Sequence, residues 1–220
     1  LPRPLLTVLK HGGRNVLAIL RRLLGVSETK LYASAASLAG ALGLVGIAYG
    51  VQAADAGSPL WFAPVMGAIT LAGSAEMLFV GLIGAGTSPW FAALAGLVVN
   101  IRHLPYGMAI AGLLTKKMPR RLAEIHVMND EAVAFALAHM PKGQEAGRKA
   151  YLVEGFMMLA LWPLGALIGA LLGQFVPPET LGLDALFPAA IFSLVLPAMK
   201  KPQYRTTAII GIAVAAVGTF

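Results

Sequence analysis

Between residues 56 and 114 the sequence carries only two Asp, Glu, Lys or Arg side chains, Glu76 and Arg102, each inside a long apolar stretch. At the centre of an isolated spanning helix each would cost about 2.5–3.5 kcal/mol on insertion scales, so such a group marks a function by default. The two charges should face a cavity, each other, or both, with a purely structural ion pair as the plain alternative. Around Glu76 the run Ala72-Gly73-Ser74-Ala75-Glu76 offers a small-residue break, where unwound backbone and a helix N-terminus suit a carboxylate. Irregular backbone at membrane depth survives only where it lines a cavity or is buried in protein. Around Arg102, an amide, an imidazole and a phenol stand close together as Asn100, His103 and Tyr106. On one continuous helix Asn100, His103 and Gly107 would share a face, with Arg102 and Tyr106 on another. Gly73, Ser74, Glu76, Asn100, Arg102, His103 and Tyr106 are therefore the candidate binding residues. Glu76 and His103 are candidate proton carriers, since imidazole titrates near neutrality and a desolvated Glu is pushed toward it. Asp130 and Glu131 join them, although an N-cap at Asn129 with acid in the first turn explains that trio without function. Glu154, at the start of a later apolar run, reads equally well as an interfacial residue or a proton carrier.

The elements that must hold these groups are helices in lipid. Of 220 residues 58% are apolar and 12% charged, and the mean hydropathy is +0.76. A soluble domain carries about 25% charged residues, so this chain lacks the charge to cover a water-facing surface. Uncharged runs at 31–54, 56–75, 77–101 and 155–178 each match or exceed the roughly 20 residues of a spanning helix. Shorter runs at 185–199 and 206–220 can span with tilt or flanking residues. The expected fold is an all-α integral membrane protein, a polytopic helical bundle with at least five spans. It consists of a basic amphipathic cytoplasmic segment at 1–30 and a single transmembrane domain at 31–220 with a cytoplasmic loop at 115–150. The first residue is Leu and the last run stops at Phe220, so the sequence reads as trimmed at both ends; no cleavable signal pattern is visible.

All but one of the 17 Lys and Arg lie in 1–30, 115–150 and 200–205, and the exception is Arg102. That clustering fits the positive-inside rule for cytoplasmic loops and speaks against nucleic acid as a partner; the basic N-terminal helix would instead lie on anionic lipid. If 1–30 and 115–150 share the cytoplasmic side and 31–54 crosses outward, residues 60–114 must cross an odd number of times. Trp-Phe-Ala recurs at 61–63 and 90–92, each time after a Ser-Pro start signal. Both units then begin at the outer surface, so 60–84 is expected to be a re-entrant or broken helix turning near Ala72-Gly73-Ser74, and 88–114 a full span. The series Gly40, Gly43, Gly46, Gly50 and Gly165, Gly169, Gly173 are faces for close helix packing.

Enzyme signatures are missing. The chain has no phosphate loop, no His-Glu-x-x-His pair and no Gly-x-Ser-x-Gly elbow, and its four His residues lack metal-ligand spacing. With no Cys, disulfides and thiolate metal sites are excluded, so neither cofactor nor metal is expected.

The segments Ala72–Glu76, Asn100–Gly107 and Asn129–Ala132, the Trp162-x-x-Gly165 pair with Gly169, and residues 181–189 (Gly-Leu-Asp-Ala-Leu-Phe-Pro-Ala after Leu181) follow the order and spacing of the AzlC-like permeases. In this the chain resembles the large subunit of bacterial branched-chain amino acid exporters, over about residues 45–205. The resemblance implies a multi-pass transporter of the bacterial cytoplasmic (inner) membrane with a cytoplasmic N-terminus. It would export valine-like amino acids, draw on the proton gradient and work with a small AzlD-like membrane subunit; its oligomeric state is open. Glu76 departs from the family's usual Gln, which bears on substrate charge and proton coupling. On this reading a zwitterionic amino acid sets its carboxylate against Arg102 and the amides near Gly73 and Ser74, and its ammonium against Glu76, between walls from Met66, Leu78 and Val99. A gated channel with Glu76 and Arg102 at its constriction, or a non-transporting membrane scaffold subunit, is the alternative.

Overall fold

A computed structural model of the chain describes residues 26–175, and every regular element among them is helical. Helix α1 runs Val26–Asp55, so residues 26–30 already belong to the first long helix rather than to the N-terminal segment. The remainder of that segment, the runs at 185–199 and 206–220, and the motif at 181–189 lie outside the described residues. Next come α2 (Phe62–Thr70), α3 (Gly73–Gly84), α4 (Pro89–Asn100) and α5 (His103–Ile110), the last extended by a 3-10 turn at Ala111–Leu113. Then follow α6 (Met118–His126), α7 (Asp130–His139) with a 3-10 turn at Met140–Lys142, and α8 (Gln144–Leu172).

Helices α1 and α8 are long and apolar enough to cross a membrane, and they form the spine of the molecule. Gly43 lies against Leu161, Gly46 against Trp162 and Gly165, Gly50 against Ala166 and Ala170, and Gly173 against Val51 and Ala54. Residue numbers rise together along the seam, so the two helices run parallel. A Cβ at Gly165 would sit 2.1 Å from the Gly43 carbonyl oxygen, and one at Gly169 would sit 1.9 Å from that of Ile47. Backbones this close are what small residues permit. Gly40, expected in the same seam, faces open space.

Between the spine helices the chain makes short, interrupted pieces. The rings of Phe62 and Phe79 stack at 6.1 Å, and Gly84 lies against Ala56. The start of α2 and the end of α3 therefore sit together beside the end of α1, while the α2–α3 break lies at the far end of the pair. That break falls at Leu71–Ala72, just ahead of the expected turn, and Gly73 and Ser74 already form the first turn of α3. Leu71 is left-handed (φ 45°, ψ 43°), a conformation costing an L-residue roughly 1–2 kcal/mol. Burial of its side chain and its N–H bond to the Gly67 carbonyl hold it there.

Helix α4 starts as the sequence indicates, with an extended Ser88 before Pro89 in the first turn. The expected continuous span at 88–114 is instead broken at Ile101–Arg102. Pro105 has no N–H to return to the Ile101 carbonyl and disfavours helix before it. The chain adapts with tighter bonds, Ile101 N–H to Val98 O at 3.2 Å and Leu104 N–H to Ile101 O at 3.0 Å. Trp90, Phe91, Leu94, Leu97, Leu104 and Met108 leave a broad apolar surface exposed along α4 and α5, a surface suited to hydrocarbon rather than water.

Candidate functional site

Glu76 is 3% exposed and sits in the first turn of α3. Its Oε1 accepts from the Ala72 N–H at 2.7 Å and lies 2.6 Å from the Thr70 hydroxyl, which also reaches the Met66 carbonyl at 2.9 Å. Its Oε2 accepts from the Trp162 indole N–H at 2.9 Å. The carboxyl thus stitches the α2–α3 break to the α8 spine. Trp162 fits there because Gly67 and Gly73 make room: a Cβ at either would come within 2.9 or 2.8 Å of the indole ring. Tyr49 of α1 stacks on that ring at 5.7 Å.

Arg102 does not pair with Glu76. Its guanidinium contacts Asp130 Oδ2 at 2.6 Å and donates to Ser74 Oγ at 2.5 Å, while Arg102 Nε and Asp130 Oδ1 are buried without a partner among the described residues. Asp130 opens α7, whose cap is Asn129 Oδ1 accepting from the Ala132 N–H at 2.8 Å. The expected N-cap is therefore present, and the acid beside it also carries the Arg102 ion pair. Nδ1 of His103 bonds the Asn100 carbonyl at 3.1 Å, and because a carbonyl only accepts, that nitrogen carries a proton. The Tyr106 ring meets His103 edge-on at 5.8 Å, and its phenol is near enough to interact with Asp130.

A cavity of about 130 Å³ opens beside the helix break, against the roughly 10–15 Å³ that one water needs. Ser74, Arg102, His103, Asn129, Asp130 and Glu131 give it a polar side, with Ala72 and Gly73 at the break. Leu42, Val45, Leu71, Met77, Met158 and Trp162 give it an apolar side. Of the candidates named from sequence, Gly73, Ser74, Arg102, His103, Asp130 and Glu131 line this space, whereas Glu76 lies behind Trp162 and Asn100 and Tyr106 stand outside the lining. The apolar wall differs from the expected Met66, Leu78 and Val99, none of which lines the cavity. Reasoning from sequence gave Trp162 a place in the family's motif but no part in the site, and missed Thr70. The signal available was that an indole N–H in an apolar run needs a buried acceptor.

At the far end of α6 a second ion pair anchors the connecting segment. Arg148 reaches Glu124 at 2.5 and 3.0 Å and the Leu113 carbonyl at 2.6 Å, while the Thr115 N–H donates to Glu124 at 2.8 Å. The hydrogen-bonded Arg148 guanidinium holds the Glu124 carboxyl below its usual range. Lys149 pairs with Glu28 and lies 5.6 Å over the Tyr32 ring, closing the adjacent ends of α1 and α8.

Residues 37–176 match the family model described as AzlC protein. Among curated relatives, "Inner membrane protein YgaZ" of Escherichia coli is 25% identical over 76% of this chain and 72% of its own length. "Branched-chain amino acid transport protein AzlC" of Bacillus subtilis is 28% identical over 76% of this chain and 66% of its own, just under two thirds. An "Uncharacterized membrane protein" of Helicobacter pylori is 22% identical over 79% of this chain and 76% of its own. No solved structure matches. The family match covers well over half of the sequence, and with it stand the hydropathy, the two long apolar helices and relatives named as membrane proteins: the chain belongs to the AzlC family and is a membrane protein.

Proposed function

We propose that this chain is the large subunit of a secondary transporter that exports branched-chain amino acids across the bacterial cytoplasmic membrane, coupled to protons and paired with a small AzlD-like subunit. The observation that carries the reading is a cavity with opposite charges on one side and apolar walls on the other, set at a helix break. A zwitterion with an aliphatic side chain matches that division. Its carboxylate takes the Arg102 guanidinium and the Ser74 hydroxyl, and its ammonium takes the Asp130 carboxylate. The aliphatic group packs on Leu42, Val45, Met77 and Met158. Substrate thereby exchanges one internal ion pair for two, so the desolvation of Arg102 and Asp130 is offset in both states. Glu76, already bonded by three donors, serves here as the anchor of the break rather than as the ammonium site. Glu131 and His103, on the cavity wall, are the groups placed to exchange protons with it.

The geometry of α2 and α3 favours a re-entrant pair. The spine helices run parallel, so the chain between them must return across the membrane once in net. With α2 and α3 starting and ending beside the same end of α1, the return falls to α4 and α5. The relative named for branched-chain amino acid transport supports the substrate class.

The test is stabilisation of the detergent-purified protein by amino acids, followed by counterflow in proteoliposomes. Valine, leucine and isoleucine should raise the melting temperature and lysine or glutamate should not, with the response lost in Arg102→Ala. Saturable flux stimulated by unlabelled substrate on the opposite side identifies a carrier. Non-saturable flux without that stimulation would replace it with a channel, and the absence of binding and flux with the small subunit present would leave a scaffold.

A further inference from the structure

Glu154 is fully buried, 0% exposed, and neither of its carboxyl oxygens has a hydrogen-bond partner among the described residues. On α8 it stands one turn before Met158 and two before Trp162, so the three form one stripe at i, i+4 and i+8. Met158 and Trp162 line the cavity, as does Glu131 of α7, whose carboxyl is close enough for like-charge repulsion with Glu154. The other charged groups nearby are engaged: Asp130 with Arg102, Arg148 with Glu124, and Lys149 with Glu28. Helix α1 contributes no charged side chain between residues 31 and 54, and α2 contributes none. The imidazoles of His126 and His139 bond the Ala68 and Phe135 carbonyls. No ion pair reaches Glu154 among the described residues, and a sealed carboxylate without donor or counter-charge is costly.

We propose that Glu154 is the proton-binding carboxyl of the transport cycle, exchanging with the cavity through Glu131. The assignment rests on the transport reading above. When the cavity is empty the proton resides on a Glu154 oxygen. An amino acid ammonium arriving beside Asp130 and Glu131 brings positive charge toward the pair and favours the ionised acid, so the proton leaves through Glu131 to water in the open cavity. When substrate departs on the other side, water there returns a proton to Glu154. Only an O–H bond is made and broken, and the outcome is exchange of one proton for one amino acid.

The experiment uses the full chain with its small subunit, in detergent and in proteoliposomes, with valine as the probe. In weakly buffered detergent, valine should release protons from the wild-type protein, and a pH gradient should drive accumulation in vesicles. Glu154→Gln should keep valine stabilisation and counterflow while losing proton release and gradient-driven accumulation. Glu154→Leu, which supplies a neutral group of another shape, should behave the same way. Retention of both proton-linked readouts in either variant would overturn the proposal, as would valine binding by the wild type with no proton release. Accumulation driven by sodium instead of protons would also overturn it. A wild-type protein that neither binds nor exchanges valine would instead bring down the transport reading, and this assignment with it.

Discussion

Replacing Trp162 by Phe keeps an aromatic ring against Tyr49 but removes the N–H that Glu76 Oε2 accepts at 2.9 Å. Both partners are buried, at 3% exposure each, so no water replaces the lost donor. A hydrogen bond to a charged group contributes about 1.5–3 kcal/mol, and the smaller ring adds a cavity penalty of roughly 24 cal/mol per Å³ left empty. The two contributions separate in a double-mutant cycle with Glu76→Leu, which removes the acceptor, since the cavity penalty is common to both backgrounds. The coupling between the indole and the carboxyl should be about 1.5–3 kcal/mol, or roughly ten- to 150-fold in the unfolding equilibrium. The assay is reversible denaturant titration of the solubilised protein for wild type, both single variants and the double. Coupling below about 0.5 kcal/mol, the level at which distant sites simply add, would refute the view that this bond ties the helix break to α8.

Gly169→Leu should separate α1 from α8, because its Cβ would fall 1.9 Å from the Ile47 carbonyl oxygen; loss of the monodisperse folded species on size exclusion is the expected result. Gly40→Ala, into open space, should leave stability unchanged or raise it by up to about 1 kcal/mol through helix propensity. The Glu124–Arg148 pair predicts an acid limb in stability. Because the folded-state value lies below the ordinary 4.5, its contribution is fully present above that pH and is lost as pH falls through the lower value. A melting profile between about pH 6 and pH 3 should therefore drop less steeply in Glu124→Gln than in the wild type.

Much of the architecture was legible because lipid imposes simple rules. Uncharged length marked α1 and α8, Ser88-Pro89 marked the start of α4, and isolated charges marked Glu76 and Arg102. Parity of the basic loops pointed to an odd number of crossings between residues 60 and 114, in keeping with the parallel course of α1 and α8. Partner choice was less legible. Sequence left open whether Glu76 and Arg102 face a cavity, each other, or both; a carboxyl in the first turn of a helix can instead be satisfied locally, by an adjacent amide and hydroxyl. Arg102 was then free to reach Asp130 across the fold. That contact joins positions far apart in sequence, and no periodicity encodes it. The same is true of Leu71, a residue type that avoids the left-handed conformation and adopts it here under tertiary constraint. Glu154 was visible as an acid at the head of an apolar run, yet its lack of partners is a property of packing that sequence does not carry.

The Arg102 guanidinium touches Ser74 on α3 and Asp130 on α7 from the turn that joins α4 to α5. It works as a bolt through three separate parts of the fold. The spine, by contrast, is locked by main chain against main chain. On the transport reading, an anion that drew Arg102 off Asp130 and Ser74 would loosen that joint while the α1–α8 seam stayed closed, so the short helices around the cavity, rather than the two long ones that frame it, are where a movement is to be sought.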